Sequence, residues 1–222
     1  MVRLVVMAAG QATRMGQDKL VMPWKETTVL GYVLQSVHEA ITLQQHLLPN
    51  VFSANGIMEI VVVARHPIDY YLSEEERWQF HLHDGIWIEE PTPKPLSDTI
   101  RSGLQHINNH VRYIGFLPGD QVGVTGHKLA AYLLQVSQSH AGFIVPMAGM
   151  KAVSPVFFQQ RYVSELRELQ NEEGGRTILY RYPEQWWKYP VDECFAYDVD
   201  TMDQYNALRG QVYTSLNKED IK

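Results

Sequence analysis

Three observations predict an α/β fold, a mostly parallel twisted sheet with helices on both faces. Short apolar, β-branched runs alternate along the chain with stretches whose apolar residues recur at helical spacing. The runs break into loops of Gly, Pro and charged residues, four of which follow strands on what should be one sheet edge. The length, 222 residues, suits one large α/β unit with a sizeable core.

The first strand is read at 4–7, and it breaks at Ala8-Ala9-Gly10 into a basic loop that runs to Lys19. A helix over 29–46 sets Leu30, Val33, Leu34, Val37 and Ile41 on one face. The 47–56 stretch, with Pro49-Asn50 and Asn55-Gly56, reads as a loop. Strands follow at 59–64 and 86–89, and then Pro91, Pro93 and Pro95 stiffen an extended segment. Beyond it come a helix over 98–108, a strand at 113–117, a helix over 127–137 that Thr125 is placed to cap, and a strand at 143–146. Residues 195–201 have a strand pattern that ends in alternating acids, and a helix starts near Met202.

Composition narrows the function. With 45% hydrophobic and 20% charged residues the chain reads as ordinary globular protein. A net charge of −6 argues against broad attraction to nucleic acid, so any anion must be held by a local pocket. The one cysteine, Cys194, allows no intramolecular disulfide and no cysteine-rich zinc site. No stretch approaches the roughly 20 apolar residues of a membrane span, and the apolar run after Arg3 is too short for a signal peptide. The expectation is a cytoplasmic protein without a membrane partner.

The loop at 8–19 points to nucleotide chemistry. Small residues let backbone approach a ligand, and Arg14 and Lys19 can neutralise an oligophosphate, the first as a planar fork and the second as a point charge. Five residues separate Gly10 from Gly16 and Gln17 follows, which excludes a Walker A loop. The dinucleotide fingerprint fails as well, for want of a third glycine. A plain strand-to-helix turn with a solvated Arg and Lys is the competing reading.

Two carboxylates belong with this loop. Asp120, in Pro118-Gly119-Asp120-Gln121, follows a strand on the same edge and suits magnesium, although a turn aspartate looks the same in sequence. Asp198 is placed to complete that site, while Asp200 or Thr201 serves as a helix cap, the stronger reading for Asp200. Other features stay structural. His81 and His83 lack a third ligand and sit at a surface helix end; Glu74-Glu75-Glu76 is a solvated face. Trp186-Trp187 is core or structural loop, and Cys194 a small buried hydrophobe.

Taken in order, Ala8-Ala9-Gly10-x-x-x-Arg14-Met15-Gly16-x-x-Lys19, Gly119-Asp120-Gln121 and Asp198-Val199-Asp200-Thr201 resemble the molybdenum cofactor nucleotidyltransferases, and within them most closely the cytidylyltransferases. Met22-Pro23-Trp24, Thr28-Val29-Leu30, the segment from Thr99 to Leu104 and Gly174-Gly175-Arg176 fit the same family. The chain departs from it at Ala12, often Ser, at Val122, often Pro, and at Val153-Ser154-Pro155, where the family has Gly-His-Pro. The resemblance implies a Rossmann-like nucleotidyltransferase fold, with residues 1–222 as a single domain. It implies magnesium-dependent transfer of a nucleoside monophosphate, CMP from CTP, to the phosphate of a molybdopterin-type cofactor that a molybdenum enzyme then receives. Ala8, Ala9 and Gly10 would line the nucleotide, Arg14 the outer phosphates and Lys19 the phosphorus under attack. Asp120 and Asp198 would hold Mg²⁺, and Thr99 and Arg101 would help enclose base or ribose. A guanylyl or sugar-phosphate nucleotidyltransferase, or a carrier that binds finished cofactor without turnover, is the alternative.

Overall fold

The computed structural model describes residues 1–10, 15–47 and 58–219. Arg14, Ala12 and all but the first residue of the 47–56 loop lie outside them. In chain order the strands are β1 (Val2–Ala8), β2 (Pro23–Trp24), β3 (Thr27–Thr28), β4 (Met58–Ala64), β5 (Ile86–Glu89), β6 (Tyr113–Pro118), β7 (Phe143–Ala148), β8 (Lys151–Ala152), β9 (Val156–Gln159) and β10 (Trp186–Val191). The helices are α1 (Val29–Leu47), α2 (Ile68–Tyr71), α3 (Glu74–Leu82), α4 (Leu96–Gly103), α5 (Gly126–Gln138), α6 (Val163–Glu168), α7 (Gly175–Leu179) and α8 (Met202–Glu219).

β1 lies inside an eight-stranded sheet ordered β10-β7-β9-β6-β1-β4-β5, with β8 added to β7. It pairs in parallel on both sides, Val5 standing opposite Val61 of β4 and Phe116 of β6. Strand β9 runs antiparallel between β6 and β7 and is the one reversal along the main path. Successive β1 side chains point to opposite faces. Leu4 and Val6 therefore join one core with α1 and α5, and Val5 joins the other with α4, α6 and α7. No helix among the described residues is long and apolar enough to cross a membrane.

The strands expected up to residue 146 and the first and third helices are present within a residue or two of the predicted ends. The differences have physical causes. Helix α4 stops at Gly103 rather than 108, because the buried Arg3 guanidinium collects the carbonyls of Gly103, Gln105 and His106 at 3.1, 2.6 and 3.3 Å and so supplies the helix end with donors. Glu59, 2.7 Å from Arg3 Nε, balances that buried charge. Gly103 also lies so close to β1 that a Cβ there would meet Val5 Cγ1 at 2.4 Å.

Residues 195–201 form no strand. Asp192 accepts from Phe195 N at 2.9 Å and starts a 3₁₀ turn over Glu193–Ala196, after which the chain runs on to α8 without sheet partners. Cys194 is exposed, not buried. Trp186 and Trp187 lie in β10, which the sequence reading missed along with β8 and β9. Thr125 is the N-cap of α5 but makes no side-chain capping bond. His81 and His83 close α3 as expected, His83 stacking on His38 at 5.0 Å.

Candidate active site

At the carboxyl end of β1 the backbone is held tight by a glycine. Gly119 N donates to Met7 O at 2.9 Å, and a Cβ on Gly119 would come within 3.2 Å of that oxygen. A residue without a side chain brings the β6 loop directly over β1, and the next residue is Asp120. Ala8 and Ala9 are buried, whereas Gly10 is exposed.

Lys19 reaches this corner from a 3₁₀ turn over Lys19–Val21, which Asp18 caps by accepting from Leu20 N at 3.0 Å. Its ammonium donates to Asp120 and, at 2.9 Å, to Asp200. Burial would lower the Lys19 pKa, but the two carboxylates outweigh burial and hold it above its ordinary value. Burial, then the Asp200 and Asp120 charges, raise the Asp198 carboxyl above the usual carboxylate range. One cation and three carboxylates from three distant segments thus share one field.

The carboxyl-terminal segment is fastened to the β6 loop by backbone. Val199 N donates to Asp120 O at 3.1 Å and Gly123 N to Tyr197 O at 2.9 Å. A Cβ on Gly123 would lie 1.8 Å from Cys194 O, so this crossing requires glycine. Buried Gln121 adds one more tie, its Nε2 donating to Phe195 O at 2.8 Å, and also donates to Ser154 O, between β8 and β9, at 2.7 Å. Capping of α8 falls to Thr201, whose Oγ1 accepts from Gln204 N at 3.2 Å, while Gln204 Oε1 accepts from Asp200 N and Thr201 N. Asp200 is therefore not the cap that the sequence suggested. The Thr-x-x-Gln spacing of a capping box was the readable signal that would have released it.

Beside the charged corner opens a cavity of about 860 Å³, with Gly10 and Thr99 in its lining. Its walls include Met7, Ile100, Phe116, Val156 and Phe158. Arg176 and Lys94 also line it. Lys94 is anchored at 3.2 Å on Glu90, a buried carboxylate that Ser102 also donates to. Arg101 is not brought here: it donates to Leu169 O at 2.6 Å and to Asp98, fixing α4 against the end of α6. The structure therefore gathers Gly10 and Thr99 at the cavity, and Lys19, Asp120 and Asp198 at the corner, with Asp200 as an addition.

The corner fits a divalent cation. Among the described residues no group of three or more His, Cys, Asp and Glu side chains is gathered for metal binding. Magnesium, however, usually takes one or two protein carboxylates and completes its shell with water and phosphate oxygens. Oxygens of Asp120 and Asp200 already converge on one cationic centre, and Asp198 stands two residues before Asp200 on the segment bonded to Asp120 O through Val199 N.

A family model described as the MobA-like NTP transferase domain matches residues 4–186. No curated protein sequence matches. Solved structures do: the manganese complex of Rv0371c from Mycobacterium tuberculosis H37Rv, at 20% identity and a TM-score of 0.68, covering 94% of this chain and 98% of that one. A nucleotidyl transferase from Methanothermobacter thermautotroptrophicus matches at 16% identity and 0.70, covering 97% and 99%. Molybdopterin-guanine dinucleotide biosynthesis protein A from Archaeoglobus fulgidus matches at 14% and 0.60, covering 96% and 100%. Identities this low show a shared fold.

Proposed function

The chain belongs to the MobA-like NTP transferase domain family, and from that premise we propose that it moves CMP from CTP onto the phosphate of a molybdopterin-type cofactor, releasing pyrophosphate, with residues 1–222 as one catalytic domain. The observation that carries the reading is the contact of Lys19 with Asp120, with Asp198 on the segment that Val199 N ties to Asp120 O, beside a cavity large enough for a nucleotide and an acceptor.

An oxygen of the acceptor phosphate attacks the α-phosphorus, the bond to the bridging oxygen breaks, and pyrophosphate leaves, so alignment and charge neutralisation do most of the work. The resemblance assigns backbone groups of Ala8, Ala9 and Gly10 to the nucleotide and Arg14 to its outer phosphates. Lys19 offsets charge at the phosphorus under attack. Asp120 and Asp198 would hold Mg²⁺, which when bound would supply charge neutralisation for the phosphates. Thr99 lies at the cavity wall for base or ribose. Arg101 takes no part, because its guanidinium is committed to Asp98 and Leu169.

The cavity supports a flat acceptor over a sugar. Phe116, Val156 and Phe158 give it an apolar floor, whereas every hydroxyl of a buried sugar needs a partner. The cytosine base rests on the motif resemblance. Pyrophosphate release, measured with each triphosphate and Mg²⁺ in the presence and absence of molybdopterin-type cofactor, tests both choices. Release is expected with CTP only when the cofactor is present. Release with a sugar phosphate and none with the cofactor overturns the acceptor; cofactor binding without release from any triphosphate makes the protein a carrier.

A further inference from the structure

Glu172 is an exposed residue that lines the cavity, and it takes no part in the proposed transfer. Its side chain forms no hydrogen bond or ion pair with any other described residue. Neighbouring Glu173, by contrast, is spent on the turn itself, its Oε2 accepting from Gln170 N at 2.8 Å. The cations of the lining are anchored elsewhere, Arg176 on Ala152 O at 3.3 Å and Lys94 on Glu90 at 3.2 Å. Glu172 is thus a carboxylate at the cavity wall that the described residues leave unmatched.

Backbone fixes where it stands. Ser97 N, in the first turn of α4, donates to Asn171 O at 3.1 Å, and Glu173 N donates to Gln170 O at 3.0 Å. Further along the same segment Gly175 packs on the aromatic floor, where a Cβ would meet the Phe158 ring at 2.7 Å. The segment that carries Glu172 therefore closes directly on that floor.

A ligand that fills the cavity strips water from this carboxylate, which costs free energy unless the ligand returns hydrogen bonds. Two carboxylate oxygens side by side match two adjacent N–H donors on one edge of a flat ring. A 2-amino-4-oxopyrimidine edge presents that pair, a ring N–H and an exocyclic amine. We propose that Glu172 is a specificity-determining residue that accepts both N–H groups of such an edge, and that the ring is the pterin of the acceptor. The pterin rests on the nucleotidyl-transfer reading, whereas the pairing rests on Glu172 and the floor beside it. Guanine carries the same edge, so the source of the ring is tested apart from its chemistry.

Binding of free pterin, followed by quenching of its fluorescence, tests the pairing without turnover. Lumazine, with a carbonyl oxygen in place of the exocyclic amine, is the comparison. The unaltered protein is expected to bind pterin at least about tenfold more tightly than lumazine. Glu172→Gln offers one acceptor and one donor, so it is expected to lose about tenfold for pterin and to bind lumazine more tightly than the unaltered protein does. A loss of packing would not produce that reversal. Equal affinity of the unaltered protein for the two rings overturns the pairing, and so does a Glu172→Gln variant that weakens both alike. In pyrophosphate release Glu172→Gln is expected to raise the KM for acceptor about tenfold and leave that for CTP within about twofold. A raised KM for CTP or GTP with that for acceptor unchanged assigns Glu172 to the nucleotide and overturns the pterin. Failure of nucleotidyl transfer itself shows separately, as no pyrophosphate from any triphosphate, and the comparison of pterin with lumazine is then judged alone.

Discussion

The site has two halves built on opposite terms. The corner around Asp120 is charged: Lys19 bonds two carboxylates, and a third stands close enough to feel both. The cavity beyond Gly10 is floored by Phe116, Val156 and Phe158, with Lys94 and Arg176 also in its lining. The difference teaches where generality and identity reside. Phosphate and metal chemistry ask for the same few charges whatever the base or acceptor, whereas an apolar surface selects by shape. The corner therefore speaks for the reaction class and the cavity for the substrate.

That division can be broken at its strongest point first. Asp120→Ala should lower turnover at least about a thousandfold, ~4 kcal/mol of transition-state stabilisation, while circular dichroism and binding of acceptor stay near those of the unaltered protein. Substantial residual pyrophosphate release would move the reaction out of the corner. Gly123→Ala tests whether the corner depends on backbone fit, because the new methyl group meets Cys194 O and must push the carboxyl-terminal segment away. A stability loss of about 2–3 kcal/mol in urea, with turnover falling in the folded protein, is expected; unchanged turnover would mean that Asp198 and Asp200 need not stand where they do. The smallest effect belongs to the cavity. Arg176→Ala should raise the KM for acceptor about tenfold and leave that for triphosphate within about twofold. Equal changes in both would join the two halves into one.

The halves also differ in how legible they were. Asp120 and Lys19 could be picked out in sequence only together, as a carboxylate and a cation on loops that share one sheet edge, since singly each reads equally well as a turn or solvated residue. Phe116, Val156 and Phe158 carry no such signal, since a cavity floor and a sheet core use the same residues; β9, which supplies two of them, was not recognised as a strand at all. Arg101 is the opposite case. It stands in a family-like segment, but its side chain turns back to carbonyls after α6, and spacing alone does not reveal which way a long side chain leaves a helix. Asp198 and Asp200 were expected on one strand face, and what brings them to Asp120 is instead a pair of backbone bonds across Gly123 and Val199. The parallel sheet and its helices were clear because buried strands and amphipathic helices repeat their signal over many residues.

The contact between Lys19 and Asp200 spans 181 positions of the chain. During synthesis Lys19 leaves the ribosome 181 residues before Asp200. The loop that carries Lys19 thus emerges well before the carboxylate with which it pairs. Long-range closures of this kind come late in folding. The Lys19–Asp200 pair can therefore close only after the segment around Asp200 has been made.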